Sequence, residues 1–375
     1  MKKVLIVFGT RPEAIKLFPV IEALNEKKID VYVCNTGQQK HLAKQMVDEL
    51  NISVDFDLKI MKSNQSLAEL SSNLIKKIDA LLASFFPDLI LTHGDTTTCF
   101  CASTVAFYNN IPIGHVEAGL RTKDVKTPFP EEFNRRAVSL FADLHFSPTK
   151  IAKENLIAQG ISSKNVFITG NTVIDAVLAS AKKLKSGEIL SDLDTILRDN
   201  SIDSQKKIIL VTGHRRENFG ESFKNIFLSL KRIAKNLDVE IIYPVHLNPG
   251  VKKDAEELLR GVPNINLIEP IEYHTFIDLM TSSYLILTDS GGIQEEAPSF
   301  NIPVLILREE TERPEGLLAG TSILVGSDKN RIYNEVKRLF DDEDYYKSIS
   351  NAKNPYGNGK ASQKIANIID NYLNK

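Results

Sequence analysis

Short apolar runs alternate with longer amphipathic stretches along almost the whole chain, and this alternation constrains the fold more than any other feature. A run such as Val4–Phe8 has the length and apolarity of a strand buried on both faces. A stretch such as Leu67–Phe85 has the length and spacing of an amphipathic helix. Alternation of this kind predicts parallel sheets with helices on both faces, so we predict an α/β protein with doubly wound, Rossmann-like domains.

The alternation falls into two series, which predicts two domains. A length of 375 residues agrees with two domains of ordinary size. We place the N-terminal domain at residues 1–170 and the C-terminal domain at 171–360, with the boundary near Gly170-Asn171, directly after a predicted strand. The polar stretch Lys185–Lys206 carries no strong core pattern and is interpreted as a surface excursion of the second domain. The last helix, about residues 361–375, follows a Pro/Gly/Asn break and is expected to pack back on the first domain.

The predicted elements can be given by their approximate bounds. The predicted strands are Val4–Phe8, Asp30–Cys34, Leu89–Thr92, Ile113–Val116, Leu144–Phe146, Val166–Ile168, Ile208–Thr212, Glu240–Tyr243, Ile265–Ile268, Leu285–Thr288, Val304–Leu307 and Ile323–Val325. The predicted helices lie near Ala14–Glu26, Lys40–Leu50, Leu67–Phe85, Thr97–Tyr108, Glu131–Ala142, Ile151–Gln159, Ser222–Lys235, Lys252–Leu259, Thr275–Ser282, Ile293–Phe300 and Arg331–Phe340.

Composition excludes several classes of protein. The formal net charge of −2 and the pI near 6.4 give no reason to expect nucleic-acid or membrane partners. Three cysteines are too few and too irregularly spaced for a disulfide framework or a metal site. The N-terminal apolar run is too short for a signal peptide, and no apolar segment reaches the length of a membrane span. We therefore expect a cytoplasmic enzyme.

Two doubly wound domains that face each other form a cleft, and ligands of such sheets bind beyond the carboxyl ends of the strands. The stretch Leu285–Pro298 fits this rule best, because an apolar strand runs into Ser290-Gly291-Gly292 and then a helix. Glycines and unsatisfied helical N–H groups make such a turn suitable for a diphosphate. Glu296, one helical turn later, could accept hydrogen bonds from ribose hydroxyls. The alternative is a tight turn in which Asp289 or Ser290 caps the helix.

Two polar segments follow strands in the first half of the chain. In GTRPE, Pro12 fits the first helical position, and Arg11 and Lys16 could bind an anion in the cleft. The alternative is a capped helix start with solvated charges. In HGDTTT, Asp95 could be a cleft carboxylate that acts on a sugar, or the N-cap of the helix that begins near Thr97.

Further carboxylates follow in the next two segments. Glu117 ends a strand among small residues, and this setting favours a functional role. Glu131 and Glu132 lie in the first turn of a helix, where acids already stabilise the helix dipole. We keep that structural interpretation for Glu132 and treat Glu131 as a weaker catalytic candidate.

The second half of the chain supplies candidate cations. His214 follows the first strand of the second domain beside two arginines, so its imidazole could donate to a phosphate oxygen or act as a general acid. His246 lies after a similar strand. Arg313, in a second Arg-Pro-Glu segment, is a suitable planar partner for a phosphate or a sugar hydroxyl.

Three kinds of site are missing from the sequence. It contains no P-loop and no GxGxxG segment after a strand, so we expect no nicotinamide chemistry and no cofactor. Histidine and aspartate occur singly, without the spacing of metal ligands, so we expect no metal site.

Taken together, the segments resemble the non-hydrolysing UDP-N-acetylglucosamine 2-epimerases of bacteria. GTRPEAIK, HGDTTT, HVEAGLRT, PFPEEFNRR, TGHRREN, YPVHLNP, TDSGGIQEEAPS and TERPE occur in that order between residues 9 and 316, and NPYG near the C-terminus also fits. The resemblance implies the glycosyltransferase-B architecture and interconversion of UDP-GlcNAc and UDP-ManNAc. It also implies a homodimer and supply of ManNAc units for surface polysaccharide.

The chemistry of this reaction can be reasoned independently. C2 of the sugar is not next to a carbonyl, so its proton is not acidified and direct exchange is very slow. Transient oxidation would need a nicotinamide, for which the sequence has no site. The other route is elimination of UDP across C1–C2 to 2-acetamidoglucal, followed by re-addition with the proton on the other face, and the resemblance implies this second route. This route needs carboxylates near C2 and strong stabilisation of the departing diphosphate.

The resemblance also implies a role for each matching residue. The phosphate ligands would be Arg11, His214, Ser290, Gly291, Gly292 and Arg313. Glu296 would bind the ribose and Phe276 the uracil, and Lys16 and Arg135 would lie beside the sugar. The acid/base residues would be Asp95, Glu117 and Glu131. Gln38, Gln65 and His246 match the region where some members bind a second UDP-GlcNAc as an activator. His41 and Asn64 differ from the Gln and Arg of the activated members.

Several alternatives stay open at this point. The chain could act on a related UDP-2-acetamido sugar, such as a diacetamido uronic acid, or be a retaining glycosyltransferase of the same architecture. It could also be a hydrolysing epimerase that releases ManNAc, or an inactive UDP-sugar-binding protein. We expect UDP binding to close the cleft.

Overall fold

A computed structural model describes residues 2–62, 64–213, 215, 218–245 and 249–375. The chain forms two compact units: the first runs to Ala176 and includes Tyr356–Lys375, and the second comprises Val177–Pro355. The division falls shortly after the predicted boundary at Gly170-Asn171, because the start of the connecting helix is tied to the first unit. Asn171 N–H donates to Tyr356 O at 2.7 Å there.

The first unit contains a parallel sheet with helices between its strands. Its strands are β1 (Lys3–Phe8), β2 (Asp30–Asn35), β3 (Phe56–Asp57), β4 (Leu89–His93), β5 (Ile113–Val116), β6 (Leu144–Ser147) and β7 (Val166–Ile168). Its helices are α1 (Arg11–Asn25), α2 (Lys40–Glu49), α3 (Leu67–Leu82), α4 (Thr97–Tyr108), α5 (Glu131–Phe141), α6 (Lys150–Ala158), the start of α7 (Thr172–Lys185), and α16 (Ala361–Leu373). The strand order is β3-β2-β1-β4-β5-β6-β7.

The second unit repeats this plan. Its strands are β8 (Lys207–Thr212), β9 (Val239–Pro244), β10 (Ile265–Ile268), β11 (Leu285–Thr288), β12 (Val304–Ile306) and β13 (Ser322–Leu324). Its helices are α8 (Leu193–Asp199), α9 (Glu221–Asn236), α10 (Pro249–Leu259), α11 (Tyr273–Thr281), α12 (Gly291–Glu296), α13 (Pro314–Ala319), α14 (Lys329–Asp341) and α15 (Glu343–Ser350). The strand order is β10-β9-β8-β11-β12-β13, with parallel pairing throughout.

The α/β class with two parallel sheets is therefore confirmed, and local sequence explains the elements. Val4 to Phe8 are fully buried in β1, as the continuous apolar run requires. In α3, Leu70, Leu74 and Ile78 are buried at four-residue spacing, so one face of the helix covers the sheet. The helix α16 packs against α1, within the first unit.

Some predicted elements are wrong in detail. The stretch Lys185–Lys206 is more than a surface excursion, because it contains α8, whose Leu193 and Leu197 are buried one turn apart. The predicted helix Ile293–Phe300 is α-helical only to Glu296, and a 3-10 turn follows around Pro298, which lacks an N–H donor. Among the residues that the structure describes, no helix combines the length and apolarity needed to cross a membrane.

Candidate active site

The strand orders identify the loops in which a ligand is expected. In the first sheet the order reverses between β1 and β4, and in the second between β8 and β11. Ligands of doubly wound sheets bind beyond the carboxyl ends of the strands at such a reversal. Five of the polar segments singled out in the sequence follow these four strands and the adjacent β5, whereas the Arg313 segment follows β12.

The loop after β4 presents Asp95. Gly94 has a φ of 67°, which glycine adopts without strain, and it turns the chain out of the strand. Thr96 is the N-cap of α4, since its hydroxyl accepts from Cys99 N–H at 3.0 Å. The alternative that Asp95 caps this helix is therefore wrong, and its carboxylate is directed elsewhere.

Asp95 is held by the first turns of α5. Its side chain is 25% exposed and accepts a hydrogen bond from the Arg135 guanidinium, while Asn134 donates to its backbone carbonyl at 2.9 Å. Burial raises the pKa of the Asp95 carboxyl, and the positive charge of Arg135 opposes this rise. Arg135 thus supports ionised Asp95 in a poorly solvated position.

Glu117 follows β5 in an unusual backbone conformation. Its φ is 62°, a left-handed value that costs a residue with a side chain about 1–3 kcal/mol and is found preferentially at functional sites. Its carboxylate accepts hydrogen bonds from Lys16 and from Asn171 Nδ2, the latter at 2.9 Å. His93 Nε2 lies 3.7 Å from the same carboxylate oxygen, and burial lowers the pKa of His93 to about 4.

The structure brings Asp95 and Glu117 together. The negative charge of Glu117 is among the causes that raise the pKa of Asp95. A Cβ placed on Gly94 would lie 3.8 Å from Glu117 Oε1. Two carboxylates from neighbouring strand ends, each paired with a cation, form a compact acid/base group.

The third predicted carboxylate, Glu131, begins α5. It lies one turn before Arg135, so the two side chains share a face of the helix. Glu131 makes no side-chain hydrogen bond or ion pair within the described part of the chain. Glu132, in contrast, is fully buried and pairs with Arg136 at 2.5 Å. These contacts agree with the structural interpretation of Glu132.

The loop after β1 contributes Arg11 and Lys16. The helix α1 begins at Arg11, so Pro12 occupies the second helical position rather than the predicted first. Lys16 is buried against Glu117. The Arg11 guanidinium has no hydrogen bond or ion pair with any other described residue, and it is available for a ligand.

In the second unit, β8 and β11 end side by side, with Thr212 Oγ1 and Thr288 Oγ1 2.6 Å apart. Asp289 is fully buried and accepts from Arg215 N–H at 2.9 Å, so it braces the loop. Ser290 is the N-cap residue of α12, but its side chain makes no capping bond. The alternative that Ser290 caps the helix through its hydroxyl is therefore wrong.

Arg313 lies directly over this turn. A Cβ on Gly291 would come within 2.3 Å of Arg313 Nη1, so a side chain at this position would displace the guanidinium. Arg313 Nε donates to Glu295 at 2.7 Å, and its guanidinium also contacts Glu312. Burial raises the pKa of Glu312, but the charges of Arg313 and Arg308 outweigh this effect and lower it to about 2.

The remaining predicted residues lie in several places. The Glu296 side chain points back towards Gly292, since a Cβ placed on Gly292 would lie 3.4 Å from Glu296 Oε1. Phe276 is half-buried on α11. Gln38 accepts from Thr98 N–H at 3.0 Å, whereas Gln65 lines a separate surface pocket of about 470 Å³. His214 and His246 lie outside the described residues.

Two supporting residues were missed by reasoning from the sequence. From the sequence, Asn171 was interpreted only as part of the domain boundary. It is nevertheless a polar residue that follows a strand, and the other candidate segments were identified by that same feature. Glu13 lies inside the quoted GTRPE segment, but its burial is a tertiary property. It is 1% exposed and accepts from Thr96 Oγ1 at 2.7 Å.

Comparisons with known proteins find relatives that match almost the whole chain. Residues 22–370 match the model of the family described as UDP-N-acetylglucosamine 2-epimerase. A UDP-N-acetylglucosamine 2-epimerase of Campylobacter jejuni is 48% identical over 98% of this chain and 97% of its own length. A crystal structure of the Neisseria meningitidis UDP-GlcNAc 2-epimerase bound to UDP-GlcNAc is 48% identical, with a TM-score of 0.90 and full coverage of both chains. A glycotransferase of kitacinnamycin, 12% identical with a TM-score of 0.67 over 99% of both chains, shares the fold alone.

Proposed function

This chain belongs to the UDP-N-acetylglucosamine 2-epimerase family of isomerases, and we propose that it interconverts UDP-GlcNAc and UDP-ManNAc by eliminating UDP and adding it back. The observation that carries the proposal is the pair Asp95 and Glu117, two carboxylates with separate cationic partners at neighbouring strand ends. A single base would suffice for elimination, but inversion at C2 needs a proton acceptor on one face and a donor on the other.

The proposed reaction consists of an elimination followed by a re-addition. One carboxylate removes the C2 proton, the C–H electron pair forms the C1–C2 double bond, and the C1–O bond breaks with its electrons on the diphosphate. The bound 2-acetamidoglucal then receives UDP oxygen at C1 and a proton at C2 on the opposite face. Asp95 and Glu117 are the proposed acid/base pair, with Glu131 as a further member. In each direction one carboxylate is ionised and accepts the C2 proton, while the other is protonated and donates a proton to the opposite face. Lys16 and Arg135 stabilise whichever carboxylate is ionised.

Elimination also needs a good leaving group. The second unit offers the Gly291-Gly292 turn with Arg313 over it, and Arg11 in the first unit has no protein partner among the described residues. A guanidinium binds phosphate oxygens in a planar, bidentate manner, which stabilises the charge that develops on departing UDP. We further propose, from the family resemblance, His214 on the phosphates, Glu296 on the ribose and Phe276 on the uracil.

We also propose that the protein is a homodimer and supplies ManNAc units for surface polysaccharide. The dimer is supported by an exposed aromatic face on α4 and α5. Phe107, Phe133 and Leu140 are 55%, 51% and 74% exposed. The Phe133 ring lies 5.7 Å from Phe100, and Phe107 lies 5.5 Å from Phe141, so the face is continuous across both helices. Contiguous apolar patches of this kind mark protein interaction sites.

The reaction in deuterated water tests the mechanism directly. UDP-GlcNAc incubated with the protein alone should give UDP-ManNAc that carries deuterium at C2, detected by NMR. Retention of hydrogen at C2 would contradict proton removal. Release of free ManNAc would indicate a hydrolysing enzyme, and an inert nucleotide sugar that reacts only with an added acceptor would indicate a glycosyltransferase.

Two variants assign the carboxylates. Asp95→Asn and Glu117→Gln keep the size of the side chains but cannot accept a proton, so each should lower kcat by about 100-fold or more. Asp199→Asn, at an exposed position of α8 in the second unit, is the matched control and should leave kcat unchanged. Normal turnover in both site variants would refute the proposed acid/base pair.

A further inference from the structure

The Glu117 carboxylate is held by residues that lie far from it in the sequence. With a φ of 62°, the residue gains nothing locally from its conformation, so the surrounding contacts determine where the side chain points. Lys16 neutralises the carboxylate, but an ammonium group on a flexible stem provides little directional control. A rigid, directional donor adds orientation that the ammonium group lacks.

Asn171 has the properties of such a donor. Its side chain is 2% exposed, and Nδ2 lies 2.9 Å from Glu117 Oε2. Its Oδ1 accepts from Val173 N–H at 3.1 Å in the first turn of α7. Because a backbone N–H can only donate, the amide oxygen must face Val173 and the NH2 group must face the carboxylate.

The backbone of Asn171 is fixed as well. Its N–H donates to Tyr356 O at 2.7 Å, and Tyr356 is where the chain returns to the first unit. Gly170, with a φ of 97°, allows this close approach, because a Cβ there would lie 3.3 Å from the same carbonyl oxygen. The donor is therefore anchored through both its main chain and its side chain.

We propose that Asn171 is a positioning residue for the reaction, which orients the Glu117 carboxylate towards C2 of the sugar. This inference rests on the proposed function of Glu117. The Asn171 amide holds Oε2, and Oε1 faces the Gly94 loop that carries Asp95. A neutral donor orients the carboxylate without adding a second positive charge, which would make the carboxylate a poorer base.

Asn171→Asp tests the role with a side chain of the same shape. The aspartate still accepts from Val173 N–H, but it places an anion where the donor was. We expect kcat to fall by about tenfold to a hundredfold, as for the loss of a hydrogen bond to a charged group, with KM within about twofold. The acid limb of the kcat profile should move to higher pH, because a second carboxylate disfavours ionisation of the first.

Asn171→Ser provides a second variant that should fold, since serine caps helices about as well as asparagine. Its shorter side chain can still accept from Val173 N–H but leaves Glu117 without the amide donor, so kcat should fall without a new negative charge. Asn165→Asp is the matched control, because it adds the same charge at an exposed position of the same unit. It should keep the wild-type kcat and pH profile.

Glu117→Gln, assayed in parallel, separates the two ways of failing. If Glu117→Gln is inactive but both Asn171 variants keep the wild-type kcat and pH profile, the positioning role is wrong and the proposed function stands. If Glu117→Gln itself turns over normally, the proposed acid/base role of Glu117 fails. A fall in kcat of Asn171→Ser together with a shifted acid limb in Asn171→Asp supports the inference.

Discussion

Replacing Glu13 with glutamine should make the stability of the first unit less sensitive to pH. Glu13 is 1% exposed, and its carboxylate accepts from Gly9 N–H at 3.0 Å, Thr10 N–H at 2.9 Å and the Thr96 hydroxyl at 2.7 Å. Burial raises the pKa of Glu13 to about 7, and these hydrogen bonds offset only part of that effect. The residue joins the loop after β1 to the loop that carries Asp95.

The size of the effect follows from this pKa. A rise from 4.5 to about 7, at about 1.4 kcal/mol per pH unit, corresponds to roughly 3 kcal/mol. The folded state binds the proton more tightly than the unfolded state, so this contribution is fully present below pH 4.5 and is lost as pH rises through about 7. Between pH 5 and pH 8, the wild-type protein should therefore lose roughly 2.5 kcal/mol from this group.

Glutamine is neutral throughout this range. Its amide oxygen can accept from the Gly9 and Thr10 N–H groups, and its NH2 group can donate to Thr96 Oγ1, so the hydrogen bonds are kept. Differential scanning calorimetry at pH 5 and pH 8 measures the difference. Relative to the wild type, Glu13→Gln should gain roughly 5–10 °C in Tm on going from pH 5 to pH 8, at about 2–4 °C per kcal/mol.

Glu26→Gln is the control, because Glu26 is exposed at the end of the same helix. It should follow the wild-type pH dependence. If Glu13→Gln and Glu26→Gln lose the same stability between pH 5 and pH 8, the buried carboxylate is not the source of the pH dependence and the reasoning is refuted.

Single substitutions can test a helix cap, the phosphate site and the dimer interface. Asp175 caps α16, because its carboxylate accepts from the backbone N–H groups of the first two residues of that helix at 3.1 and 2.8 Å. Asp175→Ala should therefore lower the free energy of unfolding by about 1–2 kcal/mol and speed hydrogen exchange of the α16 amides. Unchanged exchange would contradict the cap. Arg313→Met should raise the Kd for UDP, measured by calorimetry, by about tenfold to a hundredfold. Arg260→Met, which replaces an exposed arginine, is the control and should bind UDP like the wild type. If both variants bind UDP with the same affinity, Arg313 does not contact the phosphates. Phe133→Asp should give a monomer by light scattering, and a dimer that persists would place the interface elsewhere.

Much of the fold could be predicted, because strands buried on both faces leave a clear apolar run in the sequence. The strand β11, Leu285–Thr288, was predicted with its observed bounds. The strand β3 was missed, since Phe56–Asp57 is too short to produce a periodic signal. Helix α8 was missed because it buries only one side, and its two leucines stand among polar residues.

The candidate site could be predicted down to its loops but not to its contacts. Asp95 and Thr96 are both good N-cap residues, and only the backbone angles of the folded loop show that Thr96 is the cap. Nothing in the sequence predicts the left-handed conformation of Glu117 either. Gly119 lies two positions later, and a glycine is the residue expected to adopt that conformation. Asn171 contacts Glu117 across 54 positions of sequence, a distance that no local pattern can bridge.

The ion pairs explain why these segments could not be interpreted one at a time. Lys16 in GTRPEAIK pairs with Glu117 in HVEAGLRT, and Arg135 in PFPEEFNRR pairs with Asp95 in HGDTTT. Each segment therefore contains one half of a pair whose other half lies in a different segment. In a poorly solvated site each cation stabilises the ionised form of its own carboxylate, so one carboxylate can accept a proton while the other holds one. The order of strands in the sheet, which brings all four segments to one edge, is thus what turns separate charged residues into an acid/base group.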